Sequence, residues 1–127
     1  MALWRRGGFA PDAWTTLDDA SPIPEEGAVI VSLERWLKER AALEAREGAL
    51  GVAVAAGKEA QDHLADLARR PLVALAFAKF ADGRAFSYAR LLRERHRFSG
   101  ELRAIGDVLI DEIPLMLRCG FDSFEGA

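Results

Sequence analysis

The chain has 127 residues, a hydrophobic fraction of 50% and a formal net charge of −3. This length predicts one domain, and this composition is typical of a globular protein rather than of a disordered or disulfide-rich chain. The single cysteine, Cys119, excludes an internal disulfide, a CxxC redox pair and a four-cysteine iron–sulfur site. No apolar run approaches the ~20 residues of a membrane span, and the acidic balance argues against a nucleic-acid binder. We therefore expect a cytoplasmic protein with neither a membrane nor a nucleic-acid partner.

The first part of the chain, residues 1–27, predicts an irregular or hairpin-like lead-in to an α/β domain over residues 28–127. Leu3 begins one short apolar segment and Ala13 begins another. The residues between them include glycine, proline and aspartate, which favour turns. The lead-in is therefore expected to hold at most two short strands.

The domain itself alternates apolar runs with amphipathic segments. The apolar runs predict buried strands near residues 28–32, 50–55, 72–77 and 101–105, with a further strand near 121–124. Helices are expected at about residues 33–47, 58–69, 88–96 and 108–118, with Ser32, Ser87 and Asp107 as N-caps of the first, third and fourth. Pro114 should kink or split the last helix near Asp111 and Glu112, because proline lacks a backbone N–H.

This alternation predicts a single α/β domain with a mainly parallel sheet of about four or five strands and right-handed crossovers. Two architectures satisfy the pattern. One is a doubly wound sandwich with helices on both faces. The other is a half-barrel-like sheet in sequential strand order, whose open edges would need a partner such as a second copy, giving a homodimer.

The charged residues are unevenly distributed along the chain. Residues 71–103 carry 7 basic and 3 acidic side chains, a local charge of +4, whereas residues 104–127 carry 1 basic and 5 acidic, a local charge of −4. In parallel α/β folds, ligands bind beyond the carboxyl ends of the strands, and guanidinium groups suit oxyanions or acidic proteins. The sequence therefore predicts an anion- or partner-binding surface, with a solvated helix face as the alternative. Its members are Lys79, Asp82, Gly83, Arg84, Ser87, Arg90, Arg93 and Arg103.

Catalytic candidates are few. Asp82 and Asp107 follow consecutive predicted strands, so a carboxylate pair at that edge could perform acid–base chemistry, or could simply bind neighbouring arginines. The two histidines, His63 and His96, lack metal-ligand spacing, so no metal site is expected. The sequence contains no GxGxxG, Walker or GxSxG motif. We therefore expect no cofactor.

Three segments carry a family resemblance: FADGRAFSYARLLRER at residues 80–95, GELRAIGDVL at residues 100–109, and RCGFD at residues 118–122. Together they resemble the small bacterial family known as domain of unknown function 934, and the resemblance is specific over residues 72–125. Family members carry the description of an oxidoreductase involved in sulfite reduction. Their genes usually lie beside those for assimilatory sulfite reductase and phosphoadenylylsulfate reductase.

The resemblance implies a pathway rather than a set of catalytic residues, because the family has none established. Sulfite reduction transfers six electrons through siroheme and an iron–sulfur cluster, and one cysteine cannot hold such a cluster. One hypothesis is therefore an accessory protein of assimilatory sulfite reduction that binds sulfite reductase, phosphoadenylylsulfate reductase or a sulfur oxyanion. The alternative is a small enzyme that acts on a sulfur-containing metabolite in the same pathway.

Overall fold

A computed structural model describes residues 2–55, 58–77 and 83–126 of the chain. They form one α/β domain built on a single eight-stranded sheet with the order β2-β1-β8-β7-β6-β5-β4-β3. The strands are β1 (Ala2–Arg5), β2 (Gly8–Ala10), β3 (Trp14–Thr16), β4 (Ala28–Ser32), β5 (Leu50–Ala55), β6 (Leu72–Phe77), β7 (Glu101–Gly106) and β8 (Ser123–Gly126).

Strands β3 to β8 are mutually parallel and follow one another in sequential order, whereas β1 is antiparallel to both β8 and β2. The predicted parallel pairing of the four main strands is therefore confirmed, and the sequential order selects the half-barrel over the doubly wound sandwich. The lead-in contributes more than expected. Its hairpin extends one end of the sheet, and its third strand extends the other.

The connection between the two edge strands shows why the sheet must curl. Only residues 11–13 separate β2 from β3, so four Cα steps of 3.8 Å allow at most about 15 Å between the ends of these strands. Eight flat strands spaced ~4.8 Å apart would put the edges about 34 Å apart. The short connection therefore fits only a strongly curved sheet.

The helices all cover the same face of the sheet, as right-handed crossovers require when the strands are in sequential order. The main core joins helix residues such as Trp36, Leu64 and Leu92 to alternate strand residues, while a smaller cluster around Ile30 and Leu72 lies on the opposite, concave face. The helices are α1 (Leu33–Lys38), α2 (Arg40–Glu44), α3 (Lys58–Asp62), α4 (Leu64–Leu67), α5 (Arg84–Arg90) and α6 (Ile113–Arg118), with a π-helical turn at Leu91–Arg95 and a 3-10 turn at Ile110–Glu112.

The helices differ from the prediction in continuity as well as at their ends. The predicted helix 33–47 is divided at Glu39 into α1 and α2, and the predicted helix 58–69 is divided at His63 into α3 and α4. Ser32 caps α1 as expected, because its Oγ accepts from the backbone N–H of Arg35 at 3.1 Å. Two other predicted caps are wrong: α5 begins at Arg84, which places Ser87 inside it, and Asp107 precedes the last helical segment by three residues. Pro114 lies in the first turn of α6, where no backbone N–H is needed, and the preceding turn is 3-10. The last helical segment therefore changes from 3-10 to α at Glu112, which confirms the predicted split near Asp111 and Glu112.

Arginine side chains hold the long loop of the lead-in against the domain. The buried Arg35 donates to the carbonyls of Asp18 and Ser21, both at 2.6 Å. Arg46 donates to the carbonyls of Pro24 and Gly27 at 2.6 and 2.7 Å. A guanidinium presents five donors in a rigid plane and an ammonium does not, so these loops require arginine rather than lysine.

Candidate functional site

A groove runs along the exposed side of α5 and the π-helical turn that continues it. Its volume is about 530 Å³, and it is lined by Ser87, Arg90, Leu91, Glu94 and Arg95. We call these five residues the basic groove. Three of the predicted surface residues, Arg84, Ser87 and Arg90, lie exposed along this helix.

The local sequence explains why this helix presents a charged outer side. Ala85, Tyr88 and Ala89 are buried against the sheet and Phe86 packs on the Phe77 ring, which leaves Arg84, Ser87 and Arg90 exposed. Gly83 precedes the helix with a φ of +82°, a left-handed conformation that glycine adopts without a steric penalty.

The π-helical turn widens the helix at the end of the groove. The backbone N–H of His96 donates to the carbonyl of Leu91, five residues earlier, at 3.1 Å. The chain then turns at Arg97, the only non-glycine with a positive φ (+54°) among residues 2–55, 58–77 and 83–126. Phe98 follows and is buried in the core. The wider turn therefore lets the chain return to the sheet directly after the charged residues.

The ion pair within the basic groove is weak. The Nε of Arg90 lies 3.9 Å from a carboxylate oxygen of Glu94, and the two side chains are 65% and 72% exposed. Exposed pairs of this kind contribute roughly 0–1 kcal/mol, because water and salt screen them. Arg90 can therefore exchange this contact for a carboxylate on another molecule at little cost.

Arg93 has a different role, although it lies on the same turn. Its guanidinium donates to the carbonyls of Phe98, Gly100 and Gly120 at 2.7–3.0 Å, and to the carboxylate of Asp122 at 2.6 Å. Its plane also lies over the Phe98 ring, 5.0 Å from the centroid. These contacts join the residues that precede β7 to the residues that precede β8. Arg93 is therefore a structural residue rather than part of an open anion-binding surface.

Arg103 is separated from the basic groove by the sheet. Its neighbours Leu102 and Ala104 belong to the helix-side core, so the alternation of side chains places Arg103 on the concave face. The guanidinium is fully buried and forms a two-bond pair with Asp12, with both distances 3.1 Å. It also donates to Glu101 at 3.0 Å. The structure therefore does not place Arg103 with Arg90 in one surface.

This concave-face cluster of Asp12, Glu101, Arg103, Ser123 and Arg5 is strongly coupled. Burial alone would raise the pKa of Glu101, but hydrogen bonds from Arg5, Ser123 and Arg103 outweigh it and lower that pKa. The pKa of Asp12 is lowered in the same way: bonds from Arg103 and from the Trp14 backbone N–H outweigh partial burial. Burial opposes the charge of Arg103, yet its two carboxylate partners raise its pKa.

Sequence reasoning missed this cluster, although a signal for it was present. Glu101 and Arg103 are two residues apart in a predicted strand, so they had to share one face of the sheet. Asp12 could not have been assigned as their partner, because the contact depends on the curvature that brings residues 11–13 across the concave face. The cluster connects the lead-in to β7 at the centre of the sheet, so we assign it a structural role.

The remaining predicted residues fall into two groups. Lys79 and Asp82 lie outside the described residues. Asp107 is exposed at the end of β7, where its backbone N–H donates to the carbonyl of Phe77 at 2.8 Å. The hypothesis of an Asp82–Asp107 catalytic pair therefore stays a prediction.

Comparisons with known proteins identify a family but no characterised relative. A family model described as "Bacterial protein of unknown function (DUF934)" matches residues 51–127, which include the basic groove and four of the eight strands, β5 to β8. No curated protein matches the chain, and no solved structure matches it. Among the described residues, no helix has the length and apolar character needed to cross a membrane.

Proposed function

This chain belongs to the DUF934 family of bacterial proteins of unknown function, and we propose that it is a cytoplasmic accessory protein of assimilatory sulfite reduction. In this role it docks on sulfite reductase or phosphoadenylylsulfate reductase through the basic groove. The pathway rests on the gene neighbourhood that the family resemblance implies. The docking mode rests on the groove itself.

The observation that carries the proposal is the exposure of the groove. Arg90 is 65% exposed, and the ion pair that it forms within the described part of the chain is a long, screened contact to Glu94. Leu91, which is partly buried, adds an apolar side chain to the charged residues that line the groove. An open surface of this kind suits a protein partner, since interfaces combine an apolar centre with a charged rim.

The same geometry favours a protein over a small oxyanion as the ligand. Oxyanion sites hold their ligand with several converging, partly buried donors. Here Arg93 and Arg103 are committed to carbonyls and carboxylates elsewhere in the fold. Arg93 and Arg103 therefore do not contribute donors to an oxyanion site on this surface.

The test is a binding titration with each purified enzyme, at low and moderate salt. The double variant Arg90→Glu/Arg95→Glu should weaken the complex at least tenfold, about 1.4 kcal/mol. The control Arg6→Glu/Arg69→Glu makes the same charge change at exposed positions elsewhere and should bind within about twofold of wild type. The proposal fails if neither enzyme binds, or if both double variants bind alike. It also fails if sulfite alone shows saturable binding that the groove variant abolishes.

A further inference from the structure

Among the described residues, four large hydrophobic side chains are exposed, and three of them lie in the segment from Leu109 to Arg118, the fourth being Phe9. Ile110 is 82% exposed, Leu109 is 52% exposed and Leu115 is 42% exposed. Met116 is fully buried in the helix-side core and fixes this segment to the sheet. The apolar side chains are therefore held outward by the fold. Clustered apolar exposure of this kind marks an interaction surface.

Acidic, apolar and basic residues follow one another along this segment. Asp111, Leu115 and Arg118 are all exposed. Leu115 and Arg118 are three residues apart on one side of α6, and Asp111 lies in the 3-10 turn that leads into this helix. The acidic group lies at the start, the apolar group in the middle and the basic group at the end. Glu112 adds a second, half-buried acid at the start. This surface is complementary to itself when two such segments run in opposite directions.

We propose that the surface formed by Leu109, Ile110, Asp111, Leu115 and Arg118 binds a second copy of this chain across a two-fold axis. In that arrangement Leu115 of one copy lies at the centre against Leu115 of the other. Asp111 of each copy faces Arg118 of its partner. A parallel arrangement would set like charges opposite each other, so charge complementarity selects the antiparallel one.

The size of the surface sets the expected strength. One short helical segment per copy buries far less than the ~1,600 Å² of a standard interface, so the dimer should be weak and concentration-dependent. The proposal is independent of docking through the basic groove, because the two surfaces share no residue.

Charge reversal provides the test, measured as molar mass by sedimentation velocity from about 1 to 500 µM. Wild type should shift toward dimer as concentration rises. Asp111→Arg alone and Arg118→Glu alone should each remain monomeric, because each sets like charges opposite each other. A one-to-one mixture of these two variants should dimerise again. In the mixed dimer, each contact between position 111 of one copy and position 118 of the other joins a positive and a negative side chain.

The matched control variants are Asp62→Arg and Arg69→Glu, which make the same changes at exposed positions outside the segment. Both should dimerise like wild type, and circular dichroism should show that all four variants are folded. A wild type that stays monomeric throughout would overturn the proposal and leave the surface to a different protein. So would single variants that dimerise normally, as expected if the copies paired through the open sheet edges. A mixture that remains monomeric would also overturn it.

Discussion

Removal of the Arg103 guanidinium should destabilise the protein more than any change in the basic groove. Arg103→Leu deletes two bonds to Asp12 at 3.1 Å, one to Glu101 at 3.0 Å and a longer one to Ser123 at 3.3 Å. It also leaves the Glu101 carboxylate, only 16% exposed, without one of its two cationic partners. Breaking a buried ion pair from one side typically costs about 3–5 kcal/mol. Because Arg5 still pairs with Glu101, we expect a loss of about 3 kcal/mol.

The variant Asp12→Ala separates the contribution of the Arg103–Asp12 pair from that of the Arg103–Glu101 pair. Asp12→Ala removes the same two-bond pair but leaves Arg103 bonded to Glu101, and the Asp12 side chain is 31% exposed. We therefore expect a smaller loss, about 1–2 kcal/mol. The free energy of unfolding would be measured by urea denaturation for both variants and for the double variant. In the double variant the losses should be less than additive by about 1 kcal/mol or more, since the two side chains share one interaction. Strict additivity, or an Arg103→Leu variant as stable as wild type, would refute this account of the concave face.

Three further predictions follow from individual contacts. Arg93→Lys should lower the stability by about 2–3 kcal/mol in urea denaturation, because an ammonium cannot reach three carbonyls at once, while Arg90→Lys should change it by less than about 0.5 kcal/mol. Gly106→Ala should lower the stability of the protein, measured by calorimetry, more than Gly83→Ala does. Both glycines have a φ of +82°, but only at Gly106 would a Cβ meet a backbone oxygen, at 2.6 Å. The stabilisation that Glu101 contributes should be fully present above about pH 5 and fall as the pH drops through its lowered pKa, since that pKa is higher in the unfolded chain. Arg103→Leu should flatten this acid limb, and an unchanged limb would argue against the pairing.

The sequence contained enough to predict the parallel strands but not the curvature of the sheet. Three apolar runs matched β4 to β6 closely, because a strand buried on both faces leaves a continuous apolar pattern, and the fourth predicted strand matched β7 although Glu101 and Arg103 interrupt its pattern. The sheet order was left open, because the same pattern serves a half-barrel and a doubly wound sandwich. The feature that distinguishes the two architectures is the short connection, residues 11–13, between β2 and β3. Its effect on curvature is evident only once these strands are known to be the two edges of the sheet.

The arginines illustrate a similar limit for the site. Charge counting placed Arg90, Arg93 and Arg103 in one surface, since all three lie in the basic stretch of residues 71–103. In the folded protein, Arg103 lies on the concave face of the sheet, where it pairs with Asp12, and Arg93 donates to backbone carbonyls. Only the exposed helix positions remain for a partner. Local sequence cannot show which guanidinium finds a carbonyl, because those acceptors lie up to 27 residues away in the chain.

The central claim, docking through the basic groove, is tested most directly by a residue-resolved titration. The ¹⁵N-labelled protein would be mixed with unlabelled sulfite reductase and, separately, with unlabelled phosphoadenylylsulfate reductase, and the loss of each amide signal followed. The account predicts that one enzyme broadens signals first at Ser87, Arg90, Leu91, Glu94 and Arg95, and that Arg90→Glu/Arg95→Glu removes the effect. Signals unchanged by both enzymes, or broadening confined to a surface away from α5, would contradict it.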